Sequence, residues 1–542
     1  MSESFFGTDG IRGETSLSSI DEDEAIEWLT QRRTLTPTFM RVLGEALSHE
    51  QPAWPGEGAT VVVGWDRRPH NEALVRALTL GLRLTGSTVV HIGECATPTL
   101  HHAVLSFGAR MGCMITASHN PVTDSGIKVF DANGYKATPE LERSLSRTLG
   151  QLASEDREVD EVDRNRCSVP DEVHEGWCQP AHKAWLSLRW KAFLEEFGGC
   201  EQALASGSIA TPLLLDSANG FAASWLSDWL SEHGVACREV SAPDGVLNQH
   251  CGAGDFSPTQ TWTHDEAAAS PHALLRQLKP ASPGQWVGAA LDGDGDRCLL
   301  IEATEDGYKV VDGDAMAALL VAASRSSAWT FAASIESDVA LMHHVASLAP
   351  GSTLMETAVG DRWLSFGLRP SHGGLVDGSA MPTLLGIEDS GHVVLSAPHP
   401  SKEAAWSMVG DGAATLCAVL MAADRGRNVE FARGWKLRVS VSPSQRERWH
   451  NTASVFNEVT TTAVEAFAAL GLTSTVRSIE GEEHLLLIHA EGDKGVASMG
   501  VRNSGTQAKT NLSLRLSPEL DAAPFERLMG EVQAILTAAL SP

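Results

Sequence analysis

Residues 59–94 read ATVVVGWDRRPHNEALVRALTLGLRLTGSTVVHIGE. The valine run at 59–66 has the length and β-branching of a buried strand. Residues 71–86 place apolar side chains at helical spacing and stop at a glycine, which predicts an amphipathic helix. Residues 87–94 return to strand character. Strand, helix and strand in 36 residues make a unit of an α/β fold, with neighbouring strands joined by a crossover helix.

The same grammar recurs along the chain. GCMITASHN (112–120) reads as a strand running into a loop. TPLLLDSANGFAASWLSDWLSEHG (211–234) is a strand, a turn of small residues and a helix, and WTFAASIESDVALMHHVAS (329–347) repeats the pattern more weakly. Upstream, LTPTFMRVLGEALSHE (35–50) predicts a helix with Thr36 as N-cap and Pro37 at its first position. After about residue 430, KLRVSVSP, EHLLLIHA and KTNLSLRLSP alternate apolar and polar side chains, as antiparallel strands covered on one face do. The expected fold class is therefore α/β: three related α/β domains, 1–180, 181–303 and 304–428, and a smaller α+β domain, 429–542. Two polar, weakly periodic stretches, 15–33 and 153–180, read as an insertion and a linker or surface excursion.

Composition narrows the function. The 542 residues carry a formal charge of −28, which argues against a nucleic-acid partner, since such proteins present a basic face. Small anions remain possible ligands, because a nest of amides and arginines is positive locally. Nine cysteines without a CxxC pair read as reduced thiols of a cytoplasmic protein. No apolar run approaches a membrane span.

Five stretches carry chemistry. In LDGDGDRCLL (291–300), Asp292, Asp294 and Asp296 alternate with glycines, so three carboxylates converge and repel unless a cation joins them. An all-oxygen set favours a hard ion such as Mg²⁺. In VRNSGTQAKT (501–510), Arg502 with Ser504, Gly505 and Thr506 has the composition of a phosphate cradle, and also of any tight polar turn. In GIEDSGHVV (386–394), Glu388, Ser390 and His392 suit vicinal sugar hydroxyls. In FFGTDGIRG (5–13), Arg12 is placed to meet an anion. TASHNPVTDSGIKVF (116–130) holds Ser118 and Lys128. TASHN is not the G-x-S-x-G elbow of an acyl hydrolase, so Ser118 is not read as a Ser-His-Asp nucleophile. A phosphorylated Ser118 would instead carry about −1.5 to −2 charge and offer oxygens to a cation.

These stretches, in this order, resemble the α-D-phosphohexomutase superfamily from near residue 5 to near residue 516. The N-terminal FFGTDGIRG and LTPTFMRVLGEAL look most like the bacterial phosphoglucosamine mutases. VVGWDRRP, CATPT, DSANG, NQHCGA, VDGDAM, TAVGDRW and MVGDGAATL add to the match. The resemblance implies four domains around a central cleft and an isomerase that interconverts glucosamine 6-phosphate and glucosamine 1-phosphate. The alternative is a phosphomannomutase/phosphoglucomutase acting on neutral hexose phosphates. It further implies phospho-Ser118 as phosphoryl donor, one Mg²⁺ held by Ser118, Asp292, Asp294 and Asp296, and Arg297 entering the cleft. Glu388 and Ser390 would bind sugar hydroxyls, and Arg502, Ser504, Gly505 and Thr506 the non-reacting phosphate. Arg12, Lys128 and His392 would assist phosphate binding and proton transfer. A hexosamine 1,6-bisphosphate or similar compound is the implied activator, in a monomer or homodimer. Asp389, between Glu388 and Ser390, is an unusual carboxylate there, and its charge suits a positively charged 2-amino group.

Overall fold

The computed structural model describes residues 5–7, 9–155, 158–241, 244–504 and 508–542. Four sheets organise the chain. The first has seven strands, in the order Thr34–Leu35, Ile11–Thr15, Asp124–Asp131, Met111–Ile115, Thr60–Trp65, Thr88–Glu94 and Glu172–Val173. The opening valine run is its strand Thr60–Trp65, buried through its centre and parallel to both neighbours. Helix Asn71–Leu84 makes the crossover to Thr88–Glu94.

The next two sheets have six strands each. One centres on Trp286–Leu291, parallel to Ile209–Asp216 and antiparallel to Cys298–Ala303. The other centres on Leu384–Ile387, parallel to Thr330–Ser334 and antiparallel to Val393–Pro398. The second and third sheets share one apolar core, filled by helices Gly313–Ala323 and Gly412–Gly426, while the first and fourth sheets have cores of their own. The fourth sheet is fully antiparallel, in the order Trp435–Val441, Thr510–Leu516, Gly495–Asn503, Leu486–Gly492 and Thr473–Arg477, backed by helices Ser454–Ala469 and Ala523–Leu540. Three related mixed α/β units and a smaller α+β unit thus surround a cleft.

One topological rule positions the cleft loops. In each of the first three sheets a strand paired parallel to an earlier strand is followed by an antiparallel return: Met111–Ile115 to Asp124–Asp131, Trp286–Leu291 to Cys298–Ala303, and Leu384–Ile387 to Val393–Pro398. Each return loop carries one of the stretches singled out above. Such a hairpin exposes a short loop at the carboxyl end of a parallel strand, where open α/β sheets bind ligands.

The Thr36 cap forms as expected: its hydroxyl accepts from the Phe39 amide, with Pro37 at the first helical position. Of the two readings of 153–180, linker or surface excursion, the linker is corrected: the described residues form elements that pack on the first sheet. Asp160 caps a short helix, Glu161–Cys167; Glu172–Val173 then pairs with Thr88–Glu94 as the sheet's edge strand, and helix Cys178–Phe197 begins within the stretch. The helix is two turns long and the strand two residues, too short for either periodicity to register. The insertion at 15–33 contains helix Glu22–Arg32, anchored by buried Ala25 and Leu29.

Candidate active site

Ser118 lies in the loop after Met111–Ile115, fully buried and in the left-handed backbone region at φ 53°. A non-glycine residue in that region is strained and persists only when its surroundings hold it. Here they do. The Ser118 amide donates to Thr116 Oγ1 at 2.8 Å. Its carbonyl accepts from Arg68 Nη2 at 2.7 Å and from Asn248 Nδ2, which comes from the second domain, also at 2.7 Å. Arg68 also donates to the carbonyls of Asn120 and Asp124, so one buried guanidinium shapes the whole loop.

The Ser118 hydroxyl donates to Asp292 Oδ2 at 2.7 Å, across 174 residues of sequence. Asp292, Asp294 and Asp296 are all buried, and each offers an oxygen within 4.8 Å of the others'. Gly295, at φ 72°, makes the tight turn that brings Asp296 back toward Asp292, and the Asp296 amide donates to Asp292 Oδ1. Burial, then the charges of Asp296 and Asp294, push the Asp292 carboxyl up to about 7. Asp294 Oδ1 is buried without a hydrogen-bond partner among the described residues. Three close carboxylates, one with an unused oxygen, and an adjoining serine oxygen fit a hard divalent cation.

Lys128 partly balances these charges. Its Nζ lies 2.6 Å from Asp294 Oδ2 and 2.5 Å from Asp296 Oδ2. Burial lowers its pKa, but Asp294 and Asp296 outweigh burial and raise it well above normal. Behind it, Lys136 joins Asp9 at 2.9 Å to Asp361 at 2.6 Å, tying the first domain to the third. Arg12 is no surface charge: it is buried, donating to the Ala117 carbonyl beside Ser118, with Asp9 3.6 Å away.

The third domain meets the metal loop through His392. Its Nδ1 donates to Glu388 Oε2 at 2.8 Å and its Nε2 to Asp296 Oδ1 at 2.9 Å. Burial and Arg297, whose Nε lies 3.2 Å from His392 Nε2, press its pKa down, yet Asp296 and Asp361 lift it to about 9. Glu388 also accepts from the Gly360 amide, and Ser390 Oγ lies 3.4 Å from Glu388 Oε2. Arg297, largely buried, brings its Nε to 3.8 Å from Asp292. Gly391, at φ 91°, packs where a Cβ would fall 2.4 Å from the Cys298 carbonyl, so the loop carrying Glu388 and Ser390 presses directly on the hairpin carrying Asp292, Asp294 and Asp296.

The structure therefore brings Ser118, Lys128, Arg12, Asp292, Asp294, Asp296, Arg297, Glu388, Ser390 and His392 into one buried cluster. Arg502 stands at the end of strand Gly495–Asn503, in contact with Glu336 of the third domain. Ser504 follows it, and Gly505 and Thr506 lie outside the described residues. One expectation is overturned. The Asp389 carboxylate is 2.7 Å from Lys436 Nζ and 2.6 Å from Arg438 Nη2, both on the fourth sheet. Burial opposes its charge, but those two cations hold its pKa below normal. It is neutralised within the protein and does not stand ready for an amino group.

Sequence reasoning assigned no role to Thr97, which donates to Asp294 Oδ2 at 2.5 Å and whose amide binds the Asp294 carbonyl. The same holds for Arg68, Asn248 and Asp361. All four fall in stretches noted only as supporting matches, CATPT, VVGWDRRP, NQHCGA and TAVGDRW. Polar residues in such short blocks were the available signal.

Comparison with known proteins agrees with this geometry. Residues 3–155 match the family model "Phosphoglucomutase/phosphomannomutase, alpha/beta/alpha domain I". A phosphoglucosamine mutase of Frankia casuarinae is 32% identical over 402 residues, 72% of this chain and 73% of that protein. The chain belongs to the α-D-phosphohexomutase superfamily. A phosphoglucomutase/phosphomannomutase family protein of Burkholderia thailandensis shares the fold, with TM-score 0.59, 20% identity, and 99% of this chain and 97% of that one covered. An Aspergillus fumigatus N-acetylphosphoglucosamine mutase, solved with GlcNAc-6P and magnesium, aligns at TM-score 0.52 and 14% identity over 92% of this chain and 99% of that one. This phosphohexomutase is thus an isomerase by family. Among its described residues no helix is long and apolar enough to cross a membrane.

Proposed function

We propose that the chain is a phosphoglucosamine mutase, interconverting glucosamine 6-phosphate and glucosamine 1-phosphate through phospho-Ser118 and a 1,6-bisphosphate. The observation that carries this reading is the convergence of the buried, strained Ser118 hydroxyl with Asp292 of the carboxylate trio. Asp292, Asp294 and Asp296, with an oxygen at Ser118, are the residues that would hold Mg²⁺. Bound there, the ion supplies positive charge that balances carboxylate and phosphoryl oxygens. The relatives named phosphoglucosamine mutase support the amino-sugar assignment.

The chain's own groups do the rest. Arg68 and Asn248 fix the Ser118 backbone so that its oxygen keeps one direction. Phospho-Ser118 gives its phosphoryl group to the free hydroxyl of the sugar phosphate; the P–Oγ bond breaks as the new P–O bond forms, and the proton lost by the sugar hydroxyl is balanced by the one that Ser118 Oγ gains as it leaves. Glu388 and Ser390 grip sugar hydroxyls, with His392 Nδ1 holding Glu388 in place. Arg502 and Ser504 take the non-reacting phosphate, and Lys128 and Arg12 supply charge beside the transferring group. The bisphosphate then reorients and returns its other phosphate to Ser118. The domain limits 1–180, 181–303, 304–428 and 429–542 assign one cleft loop to each unit.

The test joins peptide mapping by mass spectrometry to the Ser118→Ala variant. Phosphate on Ser118, and a loss of turnover of roughly 10⁴-fold or more in the alanine variant, are expected. Full activity in that variant would remove the phosphoserine mechanism. A second reading, a mutase for neutral hexose phosphates, is favoured by the engagement of Asp389 with Lys436 and Arg438, which leaves that carboxylate unable to select an amino group. A higher kcat/KM for mannose 1-phosphate or glucose 1-phosphate than for glucosamine 1-phosphate would establish it instead.

A further inference from the structure

Arg502, assigned above to the sugar phosphate, is already engaged. Its Nε and Nη2 both approach a single oxygen, Glu336 Oε1, at 3.3 and 3.2 Å, and its Nη1 lies 3.7 Å from Glu482 Oε1. Both side chains of the Arg502–Glu336 pair are largely buried, at 13% and 16% exposure. Glu336 belongs to the third domain, two residues beyond strand Thr330–Ser334, and Arg502 to the fourth. The contact therefore spans the two units between which the phosphate would enter.

Two features make this pair exchangeable. A charge-assisted bond between guanidinium and carboxylate is usually about 2.7–2.9 Å and often two-pronged onto two oxygens; this one is longer and uses one oxygen. The other oxygen, Glu336 Oε2, lies 3.5 Å from Arg438 Nη2. Arg438 in turn donates to Asp389 Oδ2 at 2.6 Å and to the Glu336 carbonyl at 3.1 Å. Glu336 thus has a second cation within reach when it gives up the first.

We propose that Glu336 is a positioning residue that occupies Arg502 in the substrate-free cleft and passes to Arg438 when a dianionic phosphate monoester arrives. The inference rests on the reading of Arg502 as a phosphate contact. A carboxylate and a phosphate dianion cannot share one guanidinium face without strong repulsion, so phosphate entry requires the exchange. Because Arg438 also holds Asp389, in the sugar loop beside Glu388 and Ser390, the exchange connects phosphate occupancy to the loop that grips the sugar. The cost falls on affinity: a site competent for only part of the time binds more weakly by that fraction.

The experiment measures the affinity of the full-length protein for inorganic phosphate and for glucosamine 6-phosphate by calorimetry, and KM and kcat by turnover. Wild type, Glu336→Gln, Glu336→Asp and Arg502→Gln are compared. Glu336→Gln keeps the shape and removes the charge. It is expected to tighten both ligands about 3- to 10-fold and to lower KM by a similar factor, without raising kcat. Glu336→Asp, with shorter reach, is expected to move the same way by less, and it serves if the glutamine variant does not fold. Unchanged or weaker phosphate affinity in a folded Glu336 variant would mark the pair as a structural ion pair and overturn the proposal. Arg502→Gln separates the two layers. If it weakens phosphate binding while Glu336→Gln changes nothing, only this inference falls. If it leaves phosphate binding untouched, the phosphate role of Arg502 falls, and the inference with it.

Discussion

The chain carries Asp-Gly-Asp in two nearby places, as overlapping copies at 292–296 and once at 312–314, and the fold uses the two places in opposite ways. In the first, extended by Asp296, the carboxylates face the cleft. Asp292 accepts from the Ser118 hydroxyl and from the Asp296 and Arg297 amides, its nearest side-chain cation is Arg297 at 3.8 Å, and its carboxyl is pushed up to about 7, by burial first and then by Asp296 and Asp294. In the second, Asp312 caps helix Gly313–Ala323 through the Ala315 amide and pairs with Arg433, while Asp314 meets Lys436 Nζ at 3.0 Å. Lys436 also holds Asp389 at 2.7 Å. The first cluster leaves Asp292 without a close side-chain cation and Asp294 with an unpartnered oxygen, beside Lys128 from the first domain; the second tripeptide receives its cations from the fourth sheet. Local spacing cannot distinguish a metal loop from an interdomain latch. What decides is which strand arrives opposite.

The largest effect should come from removing the latch's shared cation. Lys436→Met would leave Asp312, Asp314 and Asp389 facing one another with only arginines at the edge. Breaking a buried pair from one side costs about 3–5 kcal/mol. Faster hydrogen exchange across 435–516 and a lower denaturation midpoint are expected. Unchanged exchange would show that the second tripeptide is not a latch.

Next comes the metal loop. Asp294→Asn should weaken Mg²⁺ or Mn²⁺ binding by more than about 100-fold, beyond the loss typical of an outer-shell partner. Asp314→Asn should leave it within about twofold. Calorimetric titration of both variants checks the pair, and equal losses would erase the distinction between the two tripeptides.

A third case extends the comparison to buried groups with no ionic partner. His101 and His102, on helix Thr97–Phe107 behind the metal loop, pack against Trp185 and Trp177. Burial is the main force driving both to about 3. They stay neutral in the fold, while the unfolded chain protonates near 6.5. Their contribution is complete above about pH 6.5 and is lost as pH falls toward 3, by up to about 1.4 kcal/mol per pH unit for each ring. Carboxyls raised by burial, Asp131 among them at about 7, shift stability the opposite way. The measurement is therefore the difference in stability between wild type and His102→Gln, which should shrink from pH 6.5 to 5. A flat difference would mean that the ring is not held neutral.

The same contrast explains what the sequence disclosed. Strand and helix periods and the Thr36 cap were legible because each is set by neighbours in sequence. The meeting of Ser118 with Asp292 entered through resemblance to a family, since it spans 174 residues, and that of Lys128 with Asp294 and Asp296, equally distant in sequence, was not foreseen. Arg68 and Thr97 shape the site through backbone and loop contacts, and nothing in their local spacing marks them. Glu336 and Asp389 were illegible for the reason that separates the two tripeptides: the meaning of a buried carboxylate depends on the cation opposite it, and Lys436, Arg438 and Arg502 come from the last strands of the chain.

The smallest expected effect concerns Asp389. An acidic residue inside a sugar-recognition loop invites the idea that it selects a 2-ammonium group. Its partners argue otherwise, because a carboxylate held at 2.6–2.7 Å by an arginine and a lysine has little field left for a ligand. Asp389→Asn should therefore change the ratio of kcat/KM between glucosamine 6-phosphate and glucose 6-phosphate by less than about threefold, under 1 kcal/mol of discrimination. Both substrates can slow together, since releasing Lys436 and Arg438 loosens the fourth domain, but the ratio is insensitive to that shared loss. A tenfold fall in the ratio would mean that the ion pairs open during the catalytic cycle and that Asp389 turns toward the sugar. The residue would then belong with the metal loop, as a carboxylate waiting for its cation, and the line between the two kinds of acid would have to be redrawn through the sugar loop itself.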